Sequence, residues 1–217
     1  MFPYKDDNPR VLFPYVTYGI MGLSIGVYLI QFYIQGNNAT LAREIVLTYG
    51  FVPANFNPLQ IFSSMFLHGG FVHLFGNMLY LYIFGDNVEG ILGHKKFFLF
   101  YLTCGVGAAL LQFIINPMSE IPMIGASGAI AGILGAYMIR FPRARIHVFI
   151  FIIFYMKTIY VPAQIVLGIW FLIQLSNGFS SLNLGISGGV AWFAHIGGFI
   201  IGILTLKFFQ QFRIESS

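Results

Sequence analysis

Residues 123–140 have the sequence MIGASGAIAGILGAYMIR. It predicts a membrane helix entered through a tight glycine turn, with Ser127 in its first turn. Gly125 and Gly128 flank this serine, and Gly132 continues a face of small residues. Such a face lets the backbone of a second helix approach closely. A lone serine in a membrane helix usually bonds its own backbone, so any chemistry at Ser127 depends on the other helices.

The rest of the chain is equally apolar. Hydrophobic residues make up 58% of its 217 residues and charged residues 8%, whereas about a quarter of a soluble domain is charged. With a mean hydropathy of +0.80, the chain is predicted to be an integral membrane protein. Its length suits one all-α polytopic domain, a compact helix bundle over residues 1–217. The net charge of +4 does not indicate nucleic acid, because the basic residues lie at segment ends.

Hydropathy divides this domain into six predicted spans and several connecting segments. Residues 1–10 are predicted to be a short irregular tail. Residues 36–60 are predicted to be a long interfacial first loop, since prolines break helices and aromatic residues favour the headgroup region. The apolar run 146–156 is too short to cross, which predicts an interfacial or re-entrant piece. The spans are about residues 12–34, 69–84, 97–115, 123–140, 159–175 and 190–208.

The distribution of charge predicts the orientation of this bundle. Six spans place both termini on one side, and ten of the eleven basic residues fall on that side, with Arg43 alone on the other. Basic residues favour the cytoplasmic side, so the termini are predicted to be cytoplasmic. Ser127 then lies near the outer end of its helix. Because no further domain is appended, a prokaryotic inner membrane is the expected location.

Four polar side chains from three spans share one predicted depth. His195 lies roughly 8 Å below the outer end of the last span. His73 and Asn77 are four residues apart in the second span and therefore on one helical face. Polar groups within a span usually face the bundle interior or a wet cavity. Together with Ser127, these side chains are predicted to form one polar layer near the outer side.

The helix bearing His195 also has a bare face. Gly198 and Gly202 follow the histidine by three and seven residues, which predicts close packing against the serine helix. A neutral imidazole can take the proton of a serine hydroxyl, which then attacks an amide carbonyl. None of the seven acidic residues lies in the outer half of a span. A Ser127 and His195 dyad is therefore predicted rather than a triad.

Attack on a carbonyl creates an oxyanion, which needs hydrogen-bond donors in a water-poor site. The side chains of His73 and Asn77 and the backbone N–H of Ser127 are the predicted donors. An interhelical hydrogen bond that only holds the bundle together is the alternative role for Asn77. His68 precedes the second span and is predicted to be structural. Above the site, residues 176–189 are rich in glycine and serine, as either a flexible lid or an ordinary connecting loop would be.

Three motifs carry a resemblance to a known family. They are HLFGNM at residues 73–78, GASG at 125–128 and AHIGG at 194–198, in this order on the second, fourth and sixth spans. The chain resembles a rhomboid intramembrane serine protease of the basic six-span form, and the similarity covers about residues 49–202. The resemblance implies a Ser127 nucleophile and a His195 base, with His73 and Asn77 holding the oxyanion.

The resemblance also implies that the protein hydrolyses peptide bonds in or near the membrane segments of other proteins, without metal or cofactor. Two features depart from some relatives. The first loop lacks a tryptophan-arginine pair, since the tryptophans are Trp170 and Trp192. Ala131 stands four residues after the serine, where some relatives place an aromatic ring against the histidine. What orients His195 is therefore left open.

Other classes of protein remain as alternatives. A non-catalytic relative that binds membrane clients is the main one, although it would not need Ser127 and His195 together. A transporter is disfavoured because the chain has no obvious internal repeat and few deep polar residues. A zinc protease is disfavoured because no H-E-x-x-H pattern occurs. For the protease, the substrate helix is predicted to carry small or helix-weakening residues near its outer end, since its amides must unwind before attack.

Overall fold

The computed structural model describes residues 2–152, 155–184 and 190–210. These residues form eight α-helices, a three-stranded sheet and a short 3-10 turn, Pro53–Asn55. The helices are α1 (Tyr15–Asn37), α2 (Ala39–Tyr49), α3 (Pro58–Ser63), α4 (Phe71–Leu92), α5 (His94–Ile115), α6 (Ser127–Arg140), α7 (Ala163–Leu184) and α8 (Trp192–Phe209). The strands are β1 (Phe2–Asp6), β2 (Arg145–Ile152) and β3 (Tyr155–Pro162).

Helix α6 is the centre of the bundle. Residues 128–137 are all buried, and α4, α5, α7 and α8 pack around them. On α8, a Cβ placed at Gly198 would lie 1.9 Å from the carbonyl oxygen of Gly128, and one at Gly202 would lie 2.1 Å from that of Gly132. Only glycine lets the two backbones touch here, which brings α6 and α8 together at close range.

Within the described residues, four helices are long and apolar enough to cross a membrane: α1, α5, most of α7 and α8. Helix α4 has 22 residues but carries His73, Asn77, Asp86 and Glu89 along its length. Helix α6 has 14 residues, so it is about 21 Å long, less than the roughly 30 Å of a hydrocarbon core. An integral membrane protein that is mostly helical is therefore what the structure supports.

The sheet was not predicted. Strand β1 pairs with β2 and β2 with β3, both antiparallel, so half of the tail is a strand rather than irregular chain. The described residues of the run 146–156, which was expected to be interfacial or re-entrant, belong to the β2 and β3 strands. Ile146 and Val148 are buried whereas Arg145 and Phe149 are exposed, which is the alternation of a half-buried strand. Its apolar outer face hid that alternation from hydropathy.

Two predicted loops are largely helical. The first loop, 36–60, contains α2, which begins after Asn38, whose side-chain oxygen accepts from the backbone N–H of Leu41 at 3.0 Å. In the segment 176–189, α7 continues to Leu184, and residues 185–189 lie outside the described chain. Gly178 faces Phe193 and Ile196 of α8 at ordinary contact distance. Packing between helices thus overrides the low helix propensity of glycine and serine.

Candidate active site

Ser127 is the first residue of α6 and follows a strained glycine. Gly125 has φ +120°, a conformation that side chains rarely adopt. A Cβ at this position would also lie 2.7 Å from Cε1 and Nε2 of His73. The N–H of Gly125 donates to the carbonyl of Ser64 at 2.9 Å. The turn therefore has a fixed place, and it starts the helix at the serine.

His195 lies in the first turn of α8, opposite this serine. Its Nε2 is 2.8 Å from Oγ of Ser127. The backbones of α6 and α8 touch at Gly128 and Gly198. This contact brings the side chains of Ser127 and His195 within hydrogen-bond distance. The structure thus joins the two residues that the sequence singled out, and this contact is the geometry of a nucleophile with its base.

The second ring nitrogen of His195 has a partner that the sequence analysis missed. Nδ1 is 2.9 Å from Oε1 of Gln174 on α7. Because an amide oxygen only accepts, Nδ1 carries the proton, and Nε2 is left to accept from the hydroxyl of Ser127. The sequence did carry a signal, because Gln174 is a polar residue within the fifth predicted span. It was missed because the sequence analysis considered only acidic residues as the third member of a catalytic triad.

Two indole rings flank the same imidazole. The ring centroid of Trp170 is 6.0 Å from that of His195 with planes tilted by 35°, and Trp192 meets it edge-on at 6.2 Å. Ala131, by contrast, is fully buried and presents only a methyl group. The ring contacts that an aromatic at position 131 would provide therefore come from α7 and α8.

His73 and Asn77 lie in the first two turns of α4, beside Gly125 of the turn that precedes the serine. Nδ1 of His73 accepts from the N–H of Gly69 at 3.4 Å, so Nε2 carries the proton and faces Gly125. The side-chain nitrogen of Asn77 is buried and has no partner within the described part of the chain. Both side chains line one cavity with Ser127 and His195. Within the described part of the chain, the ring N–H of His73 and the amide nitrogen of Asn77 thus have no hydrogen-bond partner.

His68 supports this side of the site from the loop before α4. The backbone N–H of His68 donates to Oε1 of Gln31 at 3.1 Å, and Nδ1 of its ring donates to the carbonyl of Phe66 at 3.2 Å. Its ring meets that of His73 edge-on, with centroids 5.3 Å apart. Burial, and to a smaller degree the neighbouring His73, lowers the pKa of His68 to about 4. The ring is therefore neutral at physiological pH.

The cavity above these residues has a volume of about 1380 Å³. It is lined by the polar layer, by the loop before α6 and by other residues of α4, α5, α7 and α8. Its size allows water and an extended peptide segment to reach Oγ of Ser127. Among the described residues, no group of three His, Cys, Asp or Glu side chains could hold a metal ion.

The acids of α4 are engaged at the other end of the bundle. Oδ2 of Asp86 is 3.2 Å from Nε of Arg10. The carboxylate of Glu89 accepts from the N–H groups of Val16 and Thr17 at 3.0 and 2.8 Å, where it caps the start of α1. They lie about three turns beyond Asn77, so neither is close to His195.

Comparison with known proteins identifies the family of the chain. The family model of the Rhomboid domain matches residues 55–212, well over half of the chain. The chain belongs to the rhomboid family. At the level of this family the activity is intramembrane proteolysis, although some relatives are inactive.

Curated rhomboid relatives align with much of the chain. Rhomboid protein 1, mitochondrial, of Saccharomyces cerevisiae is 27% identical over 94% of this chain and 54% of its own length. RHOMBOID-like protein 4 of Arabidopsis thaliana is 36% identical over 67% of this chain and 32% of its own. Rhomboid protease GluP of Bacillus subtilis is 29% identical over 88% of this chain and 34% of its own. The chain thus spans about a third to a half of the length of these relatives.

The rhomboid first loop is anchored here by backbone hydrogen bonds. Phe51 and Met123 form a two-way antiparallel bridge at 3.0 and 2.8 Å, and the N–H of Ala54 donates to the carbonyl of Ser119 at 3.0 Å. The ring of Phe51 is fully buried. These bonds anchor the first loop in the absence of a tryptophan-arginine pair. They also fix the segment that leads into Ser127.

Proposed function

We propose that this rhomboid is an intramembrane serine endopeptidase with a Ser127 and His195 dyad. The observation that carries the proposal is the 2.8 Å contact between Nε2 of His195 and Oγ of Ser127. The side chains of His73 and Asn77 line the same cavity as this serine, and the amide nitrogen of Asn77 has no partner among the described residues. A base and a set of oxyanion donors at one serine are the parts that acyl transfer requires.

The reaction follows from these positions. Nε2 of His195 takes the hydroxyl proton as Oγ of Ser127 bonds to the scissile carbonyl carbon. The side chains of His73 and Asn77 and the N–H of Ser127 donate to the oxyanion. The imidazolium then gives its proton to the leaving amine as the C–N bond breaks. Water from the cavity hydrolyses the ester in the same way, and Ser127 is restored.

The membrane arrangement is part of the proposal. Helices α1, α4, α5, α6, α7 and α8 are the six spans, with α4 and α6 crossing inside the bundle where protein rather than lipid surrounds them. The basic residues favour cytoplasmic termini and a site that opens to the outer side. The prokaryotic inner membrane expected from the sequence remains a prediction, since the relatives above include both bacterial and eukaryotic proteins.

The substrates are membrane proteins that present an unwound segment to the cavity. Phe71 and Val72 of α4, which line it, are 68% and 82% exposed, so an apolar substrate helix has a surface to lie against. Its hydrogen-bonded amides must separate before attack, which favours small or helix-weakening residues near its outer end. An all-leucine substrate helix should be cleaved more slowly than one carrying glycine or proline there.

The test is cleavage of a tagged single-span substrate by purified protein in detergent. Ser127→Ala and His195→Ala should each lower kcat/KM by at least about a thousandfold. Ser127→Ala should also abolish labelling by a fluorophosphonate probe. Thr205→Ala is the matched control, because this hydroxyl donates to the carbonyl of Ile201 in its own helix. Unchanged turnover in either dyad variant would refute the dyad.

The second candidate is a non-catalytic rhomboid that binds membrane clients. Inactive relatives are its support. It predicts that the wild-type protein retains the tagged substrate in a pull-down without cleaving it and without labelling by the probe. Cleavage that depends on Ser127 would exclude this candidate.

A further inference from the structure

Gln174 is a buried polar residue on α7 that contacts the ring of His195. Its side chain is 5% exposed, and its Oε1 is 2.9 Å from Nδ1 of His195. Its amide nitrogen donates to the carbonyl of Trp170 at 3.2 Å, which fixes which end of the amide faces the ring. The amide oxygen is thus aimed at the proton of Nδ1.

We propose that Gln174 is the positioning residue of the catalytic base, in the place that a carboxylate takes in a catalytic triad. This inference rests on the proposed function. By accepting from Nδ1–H, Gln174 selects the tautomer in which the lone pair of Nε2 faces Ser127, and it fixes the rotation of the ring. In a triad the aspartate performs the same orientation and also stabilises the imidazolium by charge.

A neutral amide is suited to a base within a membrane. A carboxylate beside a buried imidazole would have to be desolvated in the bundle, where its hydration is lost. The amide oxygen gives direction by accepting one hydrogen bond without this cost, and the amide nitrogen donates one N–H to its own helix. The positive charge of the imidazolium is then stabilised by the dipole of the Gln174 amide and not by a negative charge.

Helix α7 holds the imidazole at two points. Trp170 lies one turn before Gln174, on the same face of α7, and its ring lies beside that of His195. One element thus supplies both the hydrogen bond and a flanking ring. This arrangement gives His195 the support that Ala131 cannot give.

The experiment compares variants of the full chain in detergent. Gln174→Met removes the acceptor and nearly conserves the volume, which limits loss of folding. We expect kcat to fall about 10- to 100-fold with KM nearly unchanged, by comparison with other residues that orient a catalytic group. Gln164→Leu is the matched control, because Gln164 is an exposed glutamine of the same helix.

Gln174→Glu provides a second readout that a structural role would not move. Its carboxylate keeps an acceptor at Nδ1 and adds a charge that stabilises the imidazolium. We expect activity to recover toward the wild-type value, with the acid limb of the kcat/KM profile moved to higher pH by roughly one unit. Fluorophosphonate titration of Ser127 normalises each rate to the fraction of folded sites.

The outcomes separate this inference from the function it rests on. A wild-type protein that neither cleaves nor labels would overturn both. An active wild type with a Gln174→Met variant of equal kcat per titrated site would overturn only the role of Gln174. The same holds if Gln174→Glu were no more active than Gln174→Met, since an acceptor at Nδ1 should restore the orientation of the ring.

Discussion

Among single residues, Gly125 limits the site both by its backbone conformation and by the lack of space around it. Its φ of +120° disfavours a side chain, and a Cβ would overlap the ring of His73. Gly125→Ala should cost about 1–3 kcal/mol of local strain and displace His73, so that cleavage falls by at least about tenfold. The measurement is kcat/KM on the tagged substrate, with thermal unfolding alongside.

Gly19→Ala is the control for this substitution. Gly19 lies on an exposed face of α1, and within the described chain no atom lies within 4 Å of its missing Cβ. Its replacement should leave activity and unfolding unchanged or slightly improved, since alanine favours a helix. Equal rates for Gly125→Ala and wild type would contradict the fixed turn.

The residues of the site differ in how far the sequence could reveal them. Ser127, His195, His73 and Asn77 are polar groups in apolar spans, so their depth alone suggested one layer. Gln174 carried the same signal, but its partner Nδ1 depends on how α7 packs against α8, and periodicity does not determine that packing. The hydrogen-bond geometry therefore had to come from the structure.

Among the elements, the crossing of α6 and α8 sets the distance between the hydroxyl of Ser127 and the ring of His195. Gly202 of α8 lies against Gly132 of α6 with no space for a Cβ. Gly202→Ala must push the helices apart by a fraction of an ångström or more. Because catalysis is sensitive to displacements of about 1 Å, we expect kcat/KM to fall roughly a hundredfold. The unfolding temperature should fall as well.

Gly168→Ala on α7 is the matched substitution, since within the described chain no atom lies within 4 Å of its missing Cβ. Its effect on kcat/KM should be less than about twofold. If Gly202→Ala were as active as Gly168→Ala, the close crossing would not control the site. A crosslink between cysteines on the two helices, with an altered rate in Gly202→Ala, would report the separation directly.

Elements were predictable where hydropathy alone decides them. The ends of α1, α5 and α8 follow the apolar runs to within a few residues. The strands were not predictable in this way. From residue 149 to residue 152, β2 has apolar residues on both faces, so its hydropathy is that of a continuous apolar run. Helix α7 was predicted to end too early, because its contact with α8 outweighs the preferences of Gly178 and the neighbouring serines.

At the scale of the whole molecule, the N-terminal strand ties the sheet to the end of the helix bundle opposite the site. The carboxylate of Asp6 accepts from the hydroxyl of Tyr137 on α6 and from the side-chain nitrogen of Asn87 on α4, the latter at 3.2 Å. Asp86 lies near it and adds repulsion. One carboxylate of β1 thus holds two helices of the bundle.

Burial, with a smaller contribution from Asp86, raises the pKa of Asp6 from 3.8 to about 6. A raised pKa means that the folded state holds this proton more tightly than the unfolded state does. The contribution of Asp6 to stability is therefore fully present below about pH 4 and is lost as the pH rises to about 6. The difference in pKa sets an upper limit of about 3 kcal/mol, and solvent screening at this partly exposed group reduces the expected value to about 1 kcal/mol.

Asp6→Asn isolates this contribution. The amide cannot titrate, so the unfolding temperature of the variant relative to wild type should rise between pH 4 and pH 6.5 and stay constant above pH 7. The measurement is thermal unfolding in detergent across this range. Taking the difference cancels groups common to both proteins, such as Asp7, whose pKa is lowered by the side chain of His147 and which therefore acts in the opposite direction. A difference that stayed flat from pH 4 to pH 7 would show that Asp6 titrates as in the unfolded chain, so that the hydrogen bonds from Tyr137 and Asn87 offset the cost of burying its charge.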